Sequence, residues 1–185
     1  ATSTEAKLWD LSSGNELHTL SGHALPINAV AVSPNGKVFA TASDDRTIWL
    51  WDPRSGELLR TLTGHTSAVN ALTFSSDSRE LASGSVFPES SVKLWNLTTG
   101  RQRATLRGHA MSVRWLRYLD DKALFSMGGA HATESITWNV GEKRWVGDEL
   151  SVEWATITDP STSVAISPDG RNVATSWRGR VYLCD

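Results

Sequence analysis

The feature that most restricts what this chain can become is a repeat. Leu8-Trp9-Asp10, Leu50-Trp51-Asp52, Leu94-Trp95-Asn96, Thr137-Trp138-Asn139 and Leu183-Cys184-Asp185 recur with their middle residues 42, 44, 43 and 46 positions apart. Gly22-His23, Gly64-His65 and Gly108-His109 keep the same step, as do turn-like quartets beginning at Ser33, Ser75, Leu119 and Ser167. Three unlike markers locked to one spacing are not a product of composition. A period in this range signals a solenoid, a propeller or an array of equal units.

Inside one period the pattern is short and β-like. INAVAV (27–32), KVFATAS (37–43), RTIWLW (46–51) and ELLRTL (57–62) are rich in Val, Ile, Thr and aromatics and are parted by turn clusters such as SPNG and DPRSG. That predicts four strands per repeat, and no window carries an apolar stripe at helical spacing. With Gly-His early and Trp-Asp late in each unit, the chain resembles the WD-repeat β-propellers. The resemblance spans all 185 residues and is most specific over residues 1–109. It implies an all-β propeller of four-stranded antiparallel blades, each running from an inner strand a to a rim strand d.

On that frame the chain divides into one propeller segment over residues 1–185. Residues 1–20 form a partial blade, 21–62, 63–106 and 107–146 form complete blades, and 147–185 form a partial blade lacking its outer strand. Ala1 falls late in a strand b, and the chain stops after a strand c. The favoured reading is an incomplete ring of about four repeats, a slice of a larger propeller. The alternative is closure into four blades, with residues 16–20 supplying the last strand d. An open slice is expected to rely on the rest of its own chain, or on self-association, to cover its blade edges.

Composition excludes more than it selects. The net charge of −2 gives no global pull towards nucleic acid or a membrane surface, and 39% hydrophobic content suits a packed domain. A single cysteine, Cys184, precludes an internal disulfide framework and is compatible with a reducing compartment, so a cytoplasmic setting is expected. No leader-like segment or long apolar run stands out. The sequon Asn96-Leu97-Thr98 lies in a turn that matches DLSSG and DPRSG, and turn chemistry accounts for it.

Enzyme signatures are absent: no phosphate loop, no GxSxG, no HExxH and no Cys-x-x-Cys. His18 and His131 show no metal-ligand spacing, and no metal or other cofactor is expected. His23, Ser43 (or Thr41), Asp45 and Trp51 invite comparison with a catalytic triad. The WD-repeat resemblance implies instead a hydrogen-bonded chain from Trp through a hydroxyl and His to Asp, which satisfies groups that are costly to bury unpaired. His65, Ser85 and Trp95 in the second complete blade, and His109 and Trp138 in the third, are placed in the same structural role, with no Asp at the matching positions. One basic stretch, Arg101 to Arg117, holds five arginines and no acid. It is the basis of a minor nucleic-acid reading, although Arg101, Arg103 and Arg107 have the parity of solvated rim charges.

Length variation falls on one side of the repeat. Strand b reaches strand c in five steps from Ser43, seven from Ser85 and eight from Gly128, and the d-to-a connection grows to about fourteen residues between Gly147 and Pro160. Loops on a rigid scaffold carry function, so this face is read as the binding face. By the resemblance, Pro26, Asn28 and Asp44, Ala68 and Asn70, and Ser112 and Arg114 stand at its mouth. The functional expectation is a non-enzymatic scaffold that docks a protein or peptide there. The alternative is a regulatory or sensor propeller within a larger signalling or enzymatic protein.

Overall fold

The computed structural model describes residues 3–120, 122–129, 134–141, 144–147, 164–166, 173–177 and 180–184. Every regular element among them is a strand, seventeen in all, arranged as a series of antiparallel meanders. β1 (Ala6–Trp9) and β2 (Glu16–Leu20) pair with each other. β3 (Ile27–Val32), β4 (Phe39–Ser43), β5 (Ile48–Trp51) and β6 (Leu58–Leu62) form the first four-stranded sheet in chain order. β7 (Val69–Phe74), β8 (Glu80–Ser85), β9 (Ser91–Asn96) and β10 (Arg101–Arg107) form the second. β11 (Val113–Tyr118), β12 (Ala123–Gly128), β13 (Glu134–Asn139) and β14 (Arg144–Gly147) form the third. β15 (Val164–Ile166), β16 (Val173–Trp177) and β17 (Arg180–Cys184) make a three-stranded sheet of their own. The architecture is an incomplete β-propeller of about four blades. β2 is laddered to β1 and not to β17, so the four-blade closure is not formed.

Short side-chain bonds punctuate the strands. Val38 N–H donates to Ser33 Oγ at 2.9 Å, and Glu80 N–H donates to Ser75 Oγ at 2.9 Å, so these two quartets close their a-to-b turns in the same way. These turns absorb residues 37 and 38, which is why β4 begins at Phe39. Asn96 Oδ1 accepts from Thr99 N at 2.8 Å, so this side chain holds the β9–β10 turn.

The core lies between sheets. Ala40, Ala42, Ile48, Leu50 and Leu62 of the first four-stranded sheet pack with Val69, Phe74, Leu81 and Trp95 of the second. Ala71, Ala82, Val92, Leu94 and Leu106 of the second pack with Val113, Leu116, Tyr118, Leu124 and Trp138 of the third. Because alternate residues of a strand point to opposite faces, each sheet serves two such layers. Gly84 in β8 is what lets β11 approach: a Cβ there would stand 2.5 Å from Val113 Cγ1.

The same periodicity shows where a layer is uncovered. Leu116 and Tyr118 of β11 are buried against the second sheet, whereas Val30 and Val32, at the matching places in β3, are 55% and 58% exposed. Ahead of β3 stand only β1 and β2, and no inner strand covers this face among the described residues.

Neighbouring sheets are also latched at the outer strands. β2, β6 and β10 each send a basic side chain to a carbonyl in the next sheet's c-to-d turn. His18 Nε2 bonds Arg54 O at 2.9 Å, Arg60 Nη1 donates to Thr99 O at 2.6 Å, and Arg103 Nη2 donates to Val140 O at 2.6 Å. Arg103 is exposed on the rim, as expected, but it is also bonded across to the next sheet. A bulge between Gln102 and Ala104 breaks the strand's alternation, and the guanidinium also bonds Glu80 Oε2 at 2.5 Å. Glu80 in turn accepts from Tyr118 Oη at 2.6 Å. Burial and the adjoining Glu80 carboxylate push the Tyr118 phenol above its ordinary value.

Candidate functional site

The buried polar chains repeat from sheet to sheet with one rule of placement. In the first four-stranded sheet Trp51 Nε1 donates to Thr41 Oγ1 at 3.0 Å, Thr41 Oγ1 lies 2.8 Å from His23 Nε2, and His23 Nδ1 lies 2.7 Å from Asp45 Oδ2. In the second, Trp95 Nε1 donates to Ser83 Oγ at 2.8 Å, which lies 2.7 Å from His65 Nε2. In the third, Trp138 Nε1 and His109 Nε2 both reach Ser126 Oγ at 2.7 Å. The hydroxyl always stands two residues beyond the tryptophan's cross-strand partner: Phe39, Leu81 and Leu124 pair with Trp51, Trp95 and Trp138. The chain therefore runs through Thr41 and not Ser43, and through Ser83 and not Ser85. Ser43 Oγ donates to Leu25 O at 2.8 Å and Ser85 Oγ to Ser91 O at 3.2 Å, so both tie loops.

The second sheet has no Asp at the matching position, as expected, and a glutamate takes that place. Glu89, in the longer β8–β9 turn, faces His65 Nδ1 at 2.9 Å and accepts from Thr66 N at 2.7 Å and Ser67 N at 3.2 Å. Its other oxygen lies 3.2 Å from Lys93 Nζ. A longer turn sets its acid further back, and one extra methylene restores the reach. Burial opposes ionisation of Glu89, but His65, the Thr66 N–H and Lys93 together draw it down to about 2. Burial lowers the His65 imidazole below its ordinary value, against the pull of Glu89. A neutral His65 satisfies every group at once. Its Nδ1–H donates to Glu89, and its Nε2 accepts from Ser83 Oγ, which accepts from Trp95. Asp45 is likewise held low: Thr47 and His23 outweigh the desolvation that opposes ionisation. Each hydroxyl, wedged between an indole and an imidazole, has no open side for a substrate carbonyl.

The face of the b-to-c turns is different in kind. The first strand of each four-stranded sheet carries a bulge near its start, between Ile27 and Ala29, Val69 and Ala71, and Val113 and Trp115. The residues left unpaired are Asn28, Asn70 and Arg114. Their neighbours Val69 and Val113 are wholly buried, so the bulge turns one side chain outward from a fixed core. Around them Asp44 N bonds Pro26 O at 2.9 Å, Val86 N bonds Ala68 O at 2.9 Å, and Gly129 N bonds Ser112 O at 3.2 Å. Asn28 Nδ2 donates to Asp44 Oδ1 at 2.6 Å and Arg114 Nε to Gly129 O at 3.2 Å. Phe87 N donates to Ser112 Oγ at 3.0 Å, seating the second sheet's turn against the third sheet. Phe87, Leu25 and Met111 stand exposed here. Sequence reasoning did not single out Phe87 or Met111, since an aromatic in an insertion has no counterpart in the other repeats. Residues 130–133 and 148–160, which the sequence reading assigns to this face, lie outside the described residues.

The five arginines of the basic stretch separate. Arg101, Arg103 and Arg107 lie on outer strand β10 and Arg114 and Arg117 on first strand β11, so they do not form one stripe. Among the described residues no group of three or more His, Cys, Asp or Glu is arranged to hold a metal ion.

Fold and site together define a propeller segment whose blades are pinned by Trp–hydroxyl–His chains. Residues 14–52 and 56–96 match the family description WD domain, G-beta repeat, so this part of the chain carries WD repeats. The comparison with curated proteins gave no match. WD repeats are commonly protein-interaction scaffolds and typically non-enzymatic.

Proposed function

We propose that this chain is a non-enzymatic docking module that holds a protein or peptide on its b-to-c turn face. One observation carries the reading: three successive first strands bulge at the same place and display Asn28, Asn70 and Arg114 from matching backbone registers. A rigid scaffold that repeats its geometry while varying the displayed side chain suits recognition. The three differ in size and charge, which suits a partner read at several points. A cytoplasmic setting accords with the single cysteine.

The test compares partners captured from cell lysate by the parent, by an Asn28→Ala, Asn70→Ala, Arg114→Ala triple variant, and by Arg101→Ala on the rim. Loss of the same partners from the triple variant alone supports the reading. Loss from Arg101→Ala with retention by the triple variant overturns it. Arg103 is unsuitable as the rim control because it clamps Glu80 and Val140.

A further inference from the structure

The charges on the b-to-c turn face are unevenly spent. Three acids of this face are engaged: Asp44 by Asn28, Asp45 by His23 and Thr47, and Glu89 by His65 and Lys93. Arg46, in the β4–β5 turn, and Arg107 and Arg114 are exposed and enter no ion pair among the described residues. Among the described residues Arg114 gives only its Nε–H, to Gly129 O, so within that set both terminal nitrogens of the guanidinium keep their donors. That bond also fixes the fork's orientation, which reduces what a ligand must order.

The apolar side chains sit beside it. Phe87 is 59% exposed and Met111 42% exposed, and the bond from Phe87 N to Ser112 Oγ joins their two turns next to Arg114. The Ser112 carbonyl is bonded in turn by Gly129 N, so Phe87, Ser112, Gly129 and Arg114 form one connected surface across the second and third sheets. A guanidinium fork matches a carboxylate through two parallel hydrogen bonds, and an adjoining aromatic and thioether supply adaptable apolar contact.

We propose that this surface takes an acidic peptide segment, with a carboxylate on the Arg114 guanidinium and a neighbouring apolar side chain against Phe87 and Met111. The proposal rests on the docking reading above and names the class of partner. Nucleic acid fits less well, because the exposed arginines stand on different strands beside aliphatic as well as aromatic groups and form no continuous track for a backbone.

A randomised peptide library displayed on phage, panned against the protein, tests it. Enriched peptides are synthesised and their affinities measured by fluorescence anisotropy. Arg114→Ala, Arg114→Lys and a Phe87→Ala, Met111→Ala double variant are compared after their melting curves are shown to match the parent. The expected result is enrichment of Asp or Glu close to Leu, Ile or Phe. Affinity then falls at least about tenfold in Arg114→Ala, partly in Arg114→Lys, and at least about tenfold in the apolar double variant. Enriched peptides without acids that still need Phe87 and Met111 overturn the acidic class and leave the docking face standing. Binding insensitive to all three variants, or no enrichment, overturns both. A single-stranded oligonucleotide that binds more tightly than any enriched peptide, through Arg114, overturns the peptide assignment.

Discussion

Glu89 faces His65 at 2.9 Å in the place where Asp45 faces His23 at 2.7 Å, although the two acids stand at different distances from the strands that flank them. The buried chain is conserved in chemistry while the turn that feeds it changes length. Glu89 also meets Lys93, so the second sheet buries an ion pair that the first does not have. Replacing Glu89 by Gln removes charge-assisted bonds and is expected to cost about 1.5 to 3 kcal/mol, read as a lowered urea midpoint at pH 7.

The same pair sets an acid limit. The His65 pKa is lower folded than unfolded, so its contribution is present above the ordinary value of 6.5 and is lost as pH falls below it. Glu89 is depressed from 4.5 to about 2, so its contribution is present above 4.5 and is lost between those values. Urea midpoints should therefore fall from pH 7 to pH 5, and the gap between parent and Glu89→Gln should close from about pH 4.5 downward. A gap that stayed constant to pH 3 would mean that Glu89 does not ionise differently on folding.

Ser83 and Ser85 are both fully buried serines of β8, yet they should respond differently. Ser83→Ala leaves the Trp95 indole N–H and the His65 Nε2 without their shared partner, an expected loss of about 2 to 4 kcal/mol. Ser85→Ala removes bonds to the Ser91 backbone alone and should cost about 1 kcal/mol. Equal losses in thermal melts would place the buried chain elsewhere. Trp95→Ala, which empties the same site, is expected to cost about 3 to 5 kcal/mol.

Arg103 and Arg101 lie two residues apart on β10 but do different things. Arg103→Ala strips Glu80 of its cation and Val140 O of its donor and should destabilise by about 1.5 to 3 kcal/mol. Arg101→Ala should stay within about 0.5 kcal/mol of the parent. A double-mutant cycle of Arg103→Ala with Tyr118→Phe should show coupling through Glu80, read from denaturant midpoints.

Val30 and Leu116 occupy matching places in β3 and β11. Leu116→Ala should cost about 2 to 5 kcal/mol, whereas Val30→Thr, on an uncovered face, should change stability by less than about 0.5 kcal/mol. Similar losses from both, measured by chemical denaturation, would mean that β3 is covered in solution.

The sequence by itself determined the repeat, the four strands of each unit and the positions of Trp51, Trp95 and Trp138. These follow from local rules: period-two alternation, turn residues and a marker recurring at one spacing. Asn28, Asn70 and Arg114 were singled out through the family resemblance, each five residues after a Gly-His histidine, but the bulge that displays them was not read from the sequence. Only the tertiary structure decided which hydroxyl joins the buried chain. Thr41 and Ser43 share one strand face, and cross-strand register alone puts Thr41 under the Trp51 indole. It also decided that Glu89 stands in for an aspartate, because the reach of a side chain depends on where a turn of another length sets its backbone. And it decided the fate of Arg103. A bulge breaks the strand's alternation at that residue, and its partners Glu80 and Val140 are 23 and 37 residues distant along the chain, beyond any local pattern.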